Sequence, residues 1–171
     1  MATQRALSIA FTTHGGPPLQ LWYDEAASQT FLKGEAVYLD GAGNVAEFTT
    51  ALDNGTQRFL GFAAGDGHND TTAATNRIGV YILDPGTVFE ANVTTGAGSD
   101  QVTAKTQIGS IYRMNHNTTL SIVQIDIGAT GDNIECFRIV GFSTEKDVGE
   151  TNGRAWVTAV GFTSQLHDPI N

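Results

Sequence analysis

Apolar and polar residues alternate along most of this chain in short runs, and the runs are separated by residues suited to turns. The clearest case is Phe31 to Val45. Ala36, Val37, Tyr38 and Leu39 read as a strand, Asp40 to Asn44 (DGAGN) supplies residues that tolerate positive φ, and Val45 opens the return strand. The same pattern recurs in FLGFAA at 59–64, and in Ile78 to Val93, where Asp84, Pro85 and Gly86 form the turn of another hairpin. Period-two alternation puts Ile78, Val80 and Ile82 on one face, Phe89, Ala91 and Val93 on a second, and Val123, Ile125 and Ile127 on a third. Strands are predicted at about 31–33, 36–40, 45–50, 59–64, 78–83, 87–94, 108–114, 119–127, 134–142 and 155–162. A helical turn at Thr49 to Asn54 is short and ends at Gly55, so it adds little. The fold class that follows is all-β: a compact β-barrel or β-sandwich of short antiparallel strands.

Organisation changes once. Residues 1–28 contain Gly15, Gly16, Pro17 and Pro18, a break that neither a helix nor a central strand accepts, followed by Leu19, Leu21, Trp22 and Tyr23 and the acidic pair Asp24 and Glu25. This stretch reads as an extended N-terminal arm, with residues 29–171 as the β-barrel domain. Residues before the break are expected to be mobile until a partner orders them. The four large side chains after the break have two readings. They cap an open end of their own barrel, or they anchor the arm on a neighbouring subunit or larger surface, where aromatic groups dominate binding energy. Trp156, in an alternating strand, is expected in the core.

The order AASQTFLKGEAVYLD, FLGFAA, VYILDPGTVFEANV, IGSIYRM and GETNGRAWVTAVGF resembles small virion structural proteins of tailed bacteriophages, of the head-decoration or cement kind. The resemblance runs from Glu25 to Phe162 and rests on barrel-like strand order, not on a catalytic signature. It implies a non-enzymatic protein that binds the outside of a phage capsid and stabilises it, with the major capsid protein as partner and a homotrimer as the favoured oligomer. Leu19, Leu21, Trp22 and Tyr23 are then the candidate capsid or subunit interface.

Composition narrows the alternatives. Charged residues are 16% of the 171, against about 25% in an average domain. The 9 basic residues are dispersed among 18 acidic ones, giving a formal charge of −9 and no basic run to track phosphates, so nucleic acid is not an expected partner. That sign suits the outside of a shell better than a lumen facing DNA. No stretch approaches the roughly 18 apolar residues of a membrane span, and the N-terminus lacks the apolar region of a signal peptide. The expected location is the capsid exterior, reached from the host cytoplasm, with no membrane partner. Cys136, the single cysteine, reads as a small buried hydrophobe.

The residues offer little for catalysis. Gly141 to Glu145 (GFSTE) begins like a nucleophile elbow but has Glu145 where the last glycine is required. Asp66 to Asp70 (DGHND) brings oxygen ligands close together without the spacing of a calcium loop, so the polar stretch 65–76 reads as an ordinary surface excursion, like 94–101. His14, His68, His116 and His167 lack ligand spacing with another His or Cys and read as loop residues. Asp24 and Glu25 read as a solvated pair. Neither Gly41 to Gly43 nor Gly65 to Gly67 has the context of a phosphate loop. The Asn-x-Ser/Thr triplets at Asn54, Asn69, Asn92 and Asn117 follow from Asn- and Thr-rich loops. No cofactor and no metal site is expected, and no enzyme. The competing function is a carbohydrate-binding β-domain at a virion or cell surface, with Trp22, Tyr23 or Tyr112 as stacking platforms.

Overall fold

A computed structural model describes residues 8–13, 15–49, 59–94, 103–117, 122–128, 135–143, 148–151 and 153–160. The protein is all-β. Eleven strands are described: β1 (Ser8–Thr12), β2 (Gln20–Asp24), β3 (Ala36–Leu39), β4 (Val45–Glu47), β5 (Phe59–Ala63), β6 (Arg77–Ile82), β7 (Thr87–Thr94), β8 (Ile111–Asn117), β9 (Ile122–Asp126), β10 (Glu135–Phe142) and β11 (Arg154–Ala159). A single 3-10 turn covers Lys105–Gln107. Among the described residues no helix is long and apolar enough to cross a membrane.

The strands form two sheets. In the first, the order is β1-β7-β11-β10-β8-β9, and a parallel pairing of β9 back onto β7 closes β7, β11, β10, β8 and β9 into a five-stranded barrel. β1 and β9 share one edge of β7: β1 pairs with Thr87 to Glu90 and β9 with Asn92 to Thr94. Closure leaves one row of each strand facing inward, and that row is apolar: Phe89, Ala91, Val93, Tyr112, Met114, Val123, Ile125, Phe137, Ile139, Ala155 and Val157 belong to one buried cluster. The second sheet has the order β2-β6-β5-β3-β4 and surrounds a smaller core of Phe31, Val37, Val45, Leu60, Ala63, Ile78, Val80 and Ile82. A bridge between Glu25 and Val45 draws the far end of β2 toward β4.

A bulge couples the two cores. On β3, Val37 faces Gly61 and Tyr38 faces Phe59, so Leu60 is the extra residue on β5. Leu60 turns into the smaller core, while Phe59 and Phe62, three apart, both reach the barrel core. Phe59 meets Phe137 edge-on at 6.0 Å, and Phe62 lies 5.1 Å from Phe89. Gly61 between them is held bare, because a Cβ there would stand 2.1 Å from the Tyr81 carbonyl oxygen.

The turn at 40–44 forms as the residues require. Asp40 Oδ1 accepts the backbone N–H of Ala42 and Asn44, and Gly43 takes φ +84°. Asp84 and Gly86 also turn the chain, with Thr87 N–H donating to the Asp84 carbonyl. That turn does not make a hairpin, however. β6 lies between β2 and β5, and β7 pairs with β1, β11 and β9, so the turn carries the chain from one sheet to the other. The predicted strand at 31–33 is absent: the chain turns at Gly34, φ +87°, and Glu35 Oε2 accepts the Leu32 N–H. The arm is extended, but Ser8–Thr12 and Gln20–Asp24 each pair at a sheet edge. Ser8–Thr12 thus departs from the expected mobility of residues before Gly15. Most of the turn at Thr49 to Asn54 lies outside the described residues, as do His14, His167, Glu145 and the side chains of Cys136 and His116.

On the outer row of the barrel several polar side chains of β7, β9 and β11 are shielded from water, while Arg138 and Val140 of β10 are exposed. Arg154 forms an ion pair with Glu90 at 3.1 Å and donates to the Asn92 side chain, and Arg113 pairs with Asp126 at 2.9 Å. Burial alone would raise the Glu90 carboxyl. The Ser143 hydroxyl, the Arg154 charge and hydrogen bonds from Arg154 and Ser8 outweigh it and hold the group below the ordinary carboxylate range. Trp156 departs from its expected place: Ala155 and Val157 turn into the core, while Trp156 lies on the outer row across from Gly141, partly exposed. A Cβ at Gly141 would meet its ring at 3.2 Å.

Candidate functional site

The four candidate interface residues lie on or beside β2, an edge strand, and alternation separates them. Leu21 is opposite Val80 and Tyr23 opposite Ile78, the side of the smaller core. Tyr23 packs against that core, and burial pushes its phenol above the ordinary value. Leu21 remains 38% exposed, and Leu19, just before the strand, 46%. Trp22 is opposite Gly79 and Gln20 opposite Tyr81, on the other side. Its indole is 58% exposed, the most of any large apolar side chain described. The set therefore presents two surfaces, an aliphatic edge and an aromatic face. Tyr112, a possible stacking platform on the sequence, is buried in the barrel core and cannot serve as one.

Beside Trp22 lies an open hollow of about 360 Å³, with Gln20, Asp66, His68, Arg77 and Tyr81 among its walls. Its floor is Gly79, where a Cβ would collide with the Gln20 carboxamide at 2.3 Å. The wall formed by 65–76 is not a free excursion. Gly67 N–H donates to the Phe31 carbonyl, Asn69 N–H to Gln29 and Ala74 N–H to Glu25, while Ser28 N–H donates to Asp70. Asp66 Oδ1 accepts the Lys33 N–H at 2.8 Å. Ser28, Asn69 and Ala74 all take positive φ, at 59°, 52° and 60°, and they are the described non-glycine residues that do so.

The centre of this wall is Glu25. Far from being solvated, its side chain is 3% exposed. Oε1 accepts the His68 backbone N–H at 2.8 Å, and Oε2 lies 2.6 Å from His68 Nδ1. With Nδ1 engaged by the carboxylate, the ring is fixed and Nε2 is the nitrogen left for a ligand. Arg77 donates to the Trp22 carbonyl at 2.9 Å and lies 3.5 Å from Asp24. His68, expected as an ordinary loop residue, is thus a positioned side chain of the hollow. The sequence signal for it was weak, because Glu25 and His68 stand 43 residues apart.

Among the described residues, no group of three His, Cys, Asp or Glu side chains could hold a metal ion. Comparison with known protein families, curated proteins and solved structures finds no match.

Proposed function

We propose that this chain is a non-enzymatic structural protein of a tailed-phage particle, which binds the outside of the capsid and stabilises it. The supporting observation is the edge of β2, where Leu19 and Leu21 are exposed beside the partly buried Tyr23. A strand at a sheet edge with large aliphatic side chains in water is a surface suited to association, since both its backbone groups and its apolar area gain from a partner. The partner is the major capsid protein. A homotrimer would present this edge in three copies and raise avidity without new kinds of contact. The net charge of −9 suits an outward-facing protein.

The test is sedimentation of the purified chain with capsid-sized particles from the lysate of the cells that make it, with light scattering of the free protein alongside. The reading expects co-sedimentation at a fixed stoichiometry and a trimer in solution. Protein that stays in the supernatant at all particle concentrations would overturn it.

A further inference from the structure

We propose that the hollow beside Trp22 is a binding site for a neutral pyranose sugar. This inference stands independently of capsid attachment, because it uses the opposite side of β2 from Leu21.

Three observations combine. The first is the indole itself, 58% exposed at the mouth of a polar hollow rather than packed into a core. A flat aromatic face in that position suits the C–H face of a sugar ring, which has apolar patches between hydroxyls. The second is the set of polar groups around it. The Gln20 carboxamide both donates and accepts, Asp66 accepts, Arg77 donates, Tyr81 can do either, and His68, whose Nδ1–H is given to Glu25, offers Nε2 of the neutral ring as an acceptor. Hydroxyl groups, each a donor and an acceptor, match such a mixed set. A phosphate or other polyanion does not, since Asp66 lines the same wall and Glu25 stands directly behind His68. The third is construction. Gly79 leaves room for the Gln20 amide, Glu25 fixes His68 at two atoms, and Lys33 N–H holds Asp66. The volume, about 360 Å³, falls in the range of roughly 300–1,000 Å³ typical of small-molecule sites.

In this arrangement Trp22 supplies the stacking surface and sets the ring plane. Gln20, Asp66 and His68 read the hydroxyl pattern from one side. Glu25 is a positioning residue: it does not reach the ligand but holds the imidazole so that Nε2 faces it. An open hollow suits a terminal sugar of a longer glycan.

The test uses the full-length chain and the methyl glycosides of glucose, galactose, mannose and N-acetylglucosamine. Each is titrated while tryptophan fluorescence and saturation-transfer NMR are recorded. At least one should bind saturably, with a dissociation constant on the order of millimolar, as suits one ring on a shallow site. Trp22→Ala should abolish both signals while thermal unfolding stays unchanged. Glu25→Ala should weaken binding severalfold, and the conservative Glu25→Gln should restore part of that loss, because its carboxamide oxygen can still accept from His68. Leu21→Ser should bind the sugar normally even where it fails to attach to particles. Absence of saturable binding of all four glycosides to the wild type, or binding that survives Trp22→Ala, would overturn the proposal. Loss of particle attachment in Trp22→Ala without any sugar binding in the wild type would assign the indole to a protein interface instead.

Discussion

Two regions of this molecule gather polar and charged side chains, the outer row of the barrel and the face of β2 with its loop, and they are built on opposite principles. On the barrel, Arg154 is matched to Glu90 and Asn92, and Arg113 to Asp126, so the charges satisfy one another. Beside β2, Glu25 is buried in a comparable manner, and it holds His68. The remaining groups, Trp22, Gln20, Asp66, Arg77 and Tyr81, line an open hollow, although Asp66 also accepts the Lys33 N–H and Arg77 also donates to the Trp22 carbonyl. Charges paired within the protein contribute to stability, even though the buried Gln124 carboxamide and Thr94 hydroxyl beside them make no hydrogen bond among the described residues, whereas polar groups around open space beside an exposed aromatic ring are disposed toward a ligand.

The largest expected effect tests the first half of that contrast. Arg154→Ala would leave Glu90 and Asn92 without their guanidinium and should cost about 3 kcal/mol, as breaking a buried charged pair does. Denaturant unfolding measures it, and a loss below about 0.5 kcal/mol, the level of an ordinary surface change, would mean that the outer row does not stabilise the barrel. Next comes Glu25→Ala, which removes the acceptor of the His68 backbone N–H and opens a small void. About 2 kcal/mol is expected, together with faster amide exchange across residues 65–76. If exchange there is unchanged, the loop is held by its backbone bonds alone.

A smaller effect depends on pH. The Glu90 carboxyl titrates below its ordinary value in the folded protein, so as pH falls the unfolded chain takes up this proton first. The stabilisation is full above the ordinary carboxylate range and disappears as pH drops through the lowered folded value. Glu90→Gln should therefore cost about 1 kcal/mol near neutral pH and become indistinguishable from wild type in strong acid. A cost that stays constant across that window would point to packing rather than charge. The smallest stability effect belongs to β2: Trp22→Ala should change unfolding by no more than about 0.5 kcal/mol, because its indole is largely in water. A larger loss would return Trp22 to a structural role and erase the contrast.

Much of the fold can be read from alternation. Ile78, Val80 and Ile82 do share a core, and Phe89, Ala91 and Val93 share another. Alternation reports which face is buried, not which strand lies alongside, and for this reason the turn at Asp84 to Gly86 reads as a hairpin when it is a crossing between sheets. It also sends Trp156 to the core, when Trp156 lies over Gly141 on an outer row, and it does not reveal the hollow at which Trp22 stands. The hollow is harder still. Its walls come from positions 20–22, 64–68 and 77–81, brought together by pairing between distant segments, and the burial of Glu25 depends on a histidine 43 residues away. No local spacing encodes such a pair. The exposed side chains of β2, by contrast, follow a Pro-Pro break visible in the chain, and this is why Leu19, Leu21, Trp22 and Tyr23 could be singled out.

In the proposed function β2 is the working strand, and its aliphatic edge is what would attach to the particle. The most direct measurement is the occupancy of capsid particles by the double variant Leu19→Ser and Leu21→Ser, compared with wild type at equal concentration. Losing two partly buried leucine contacts should lower affinity at least about tenfold, with unfolding temperature and sugar-dependent fluorescence unchanged. Occupancy equal to that of the wild type would contradict the account.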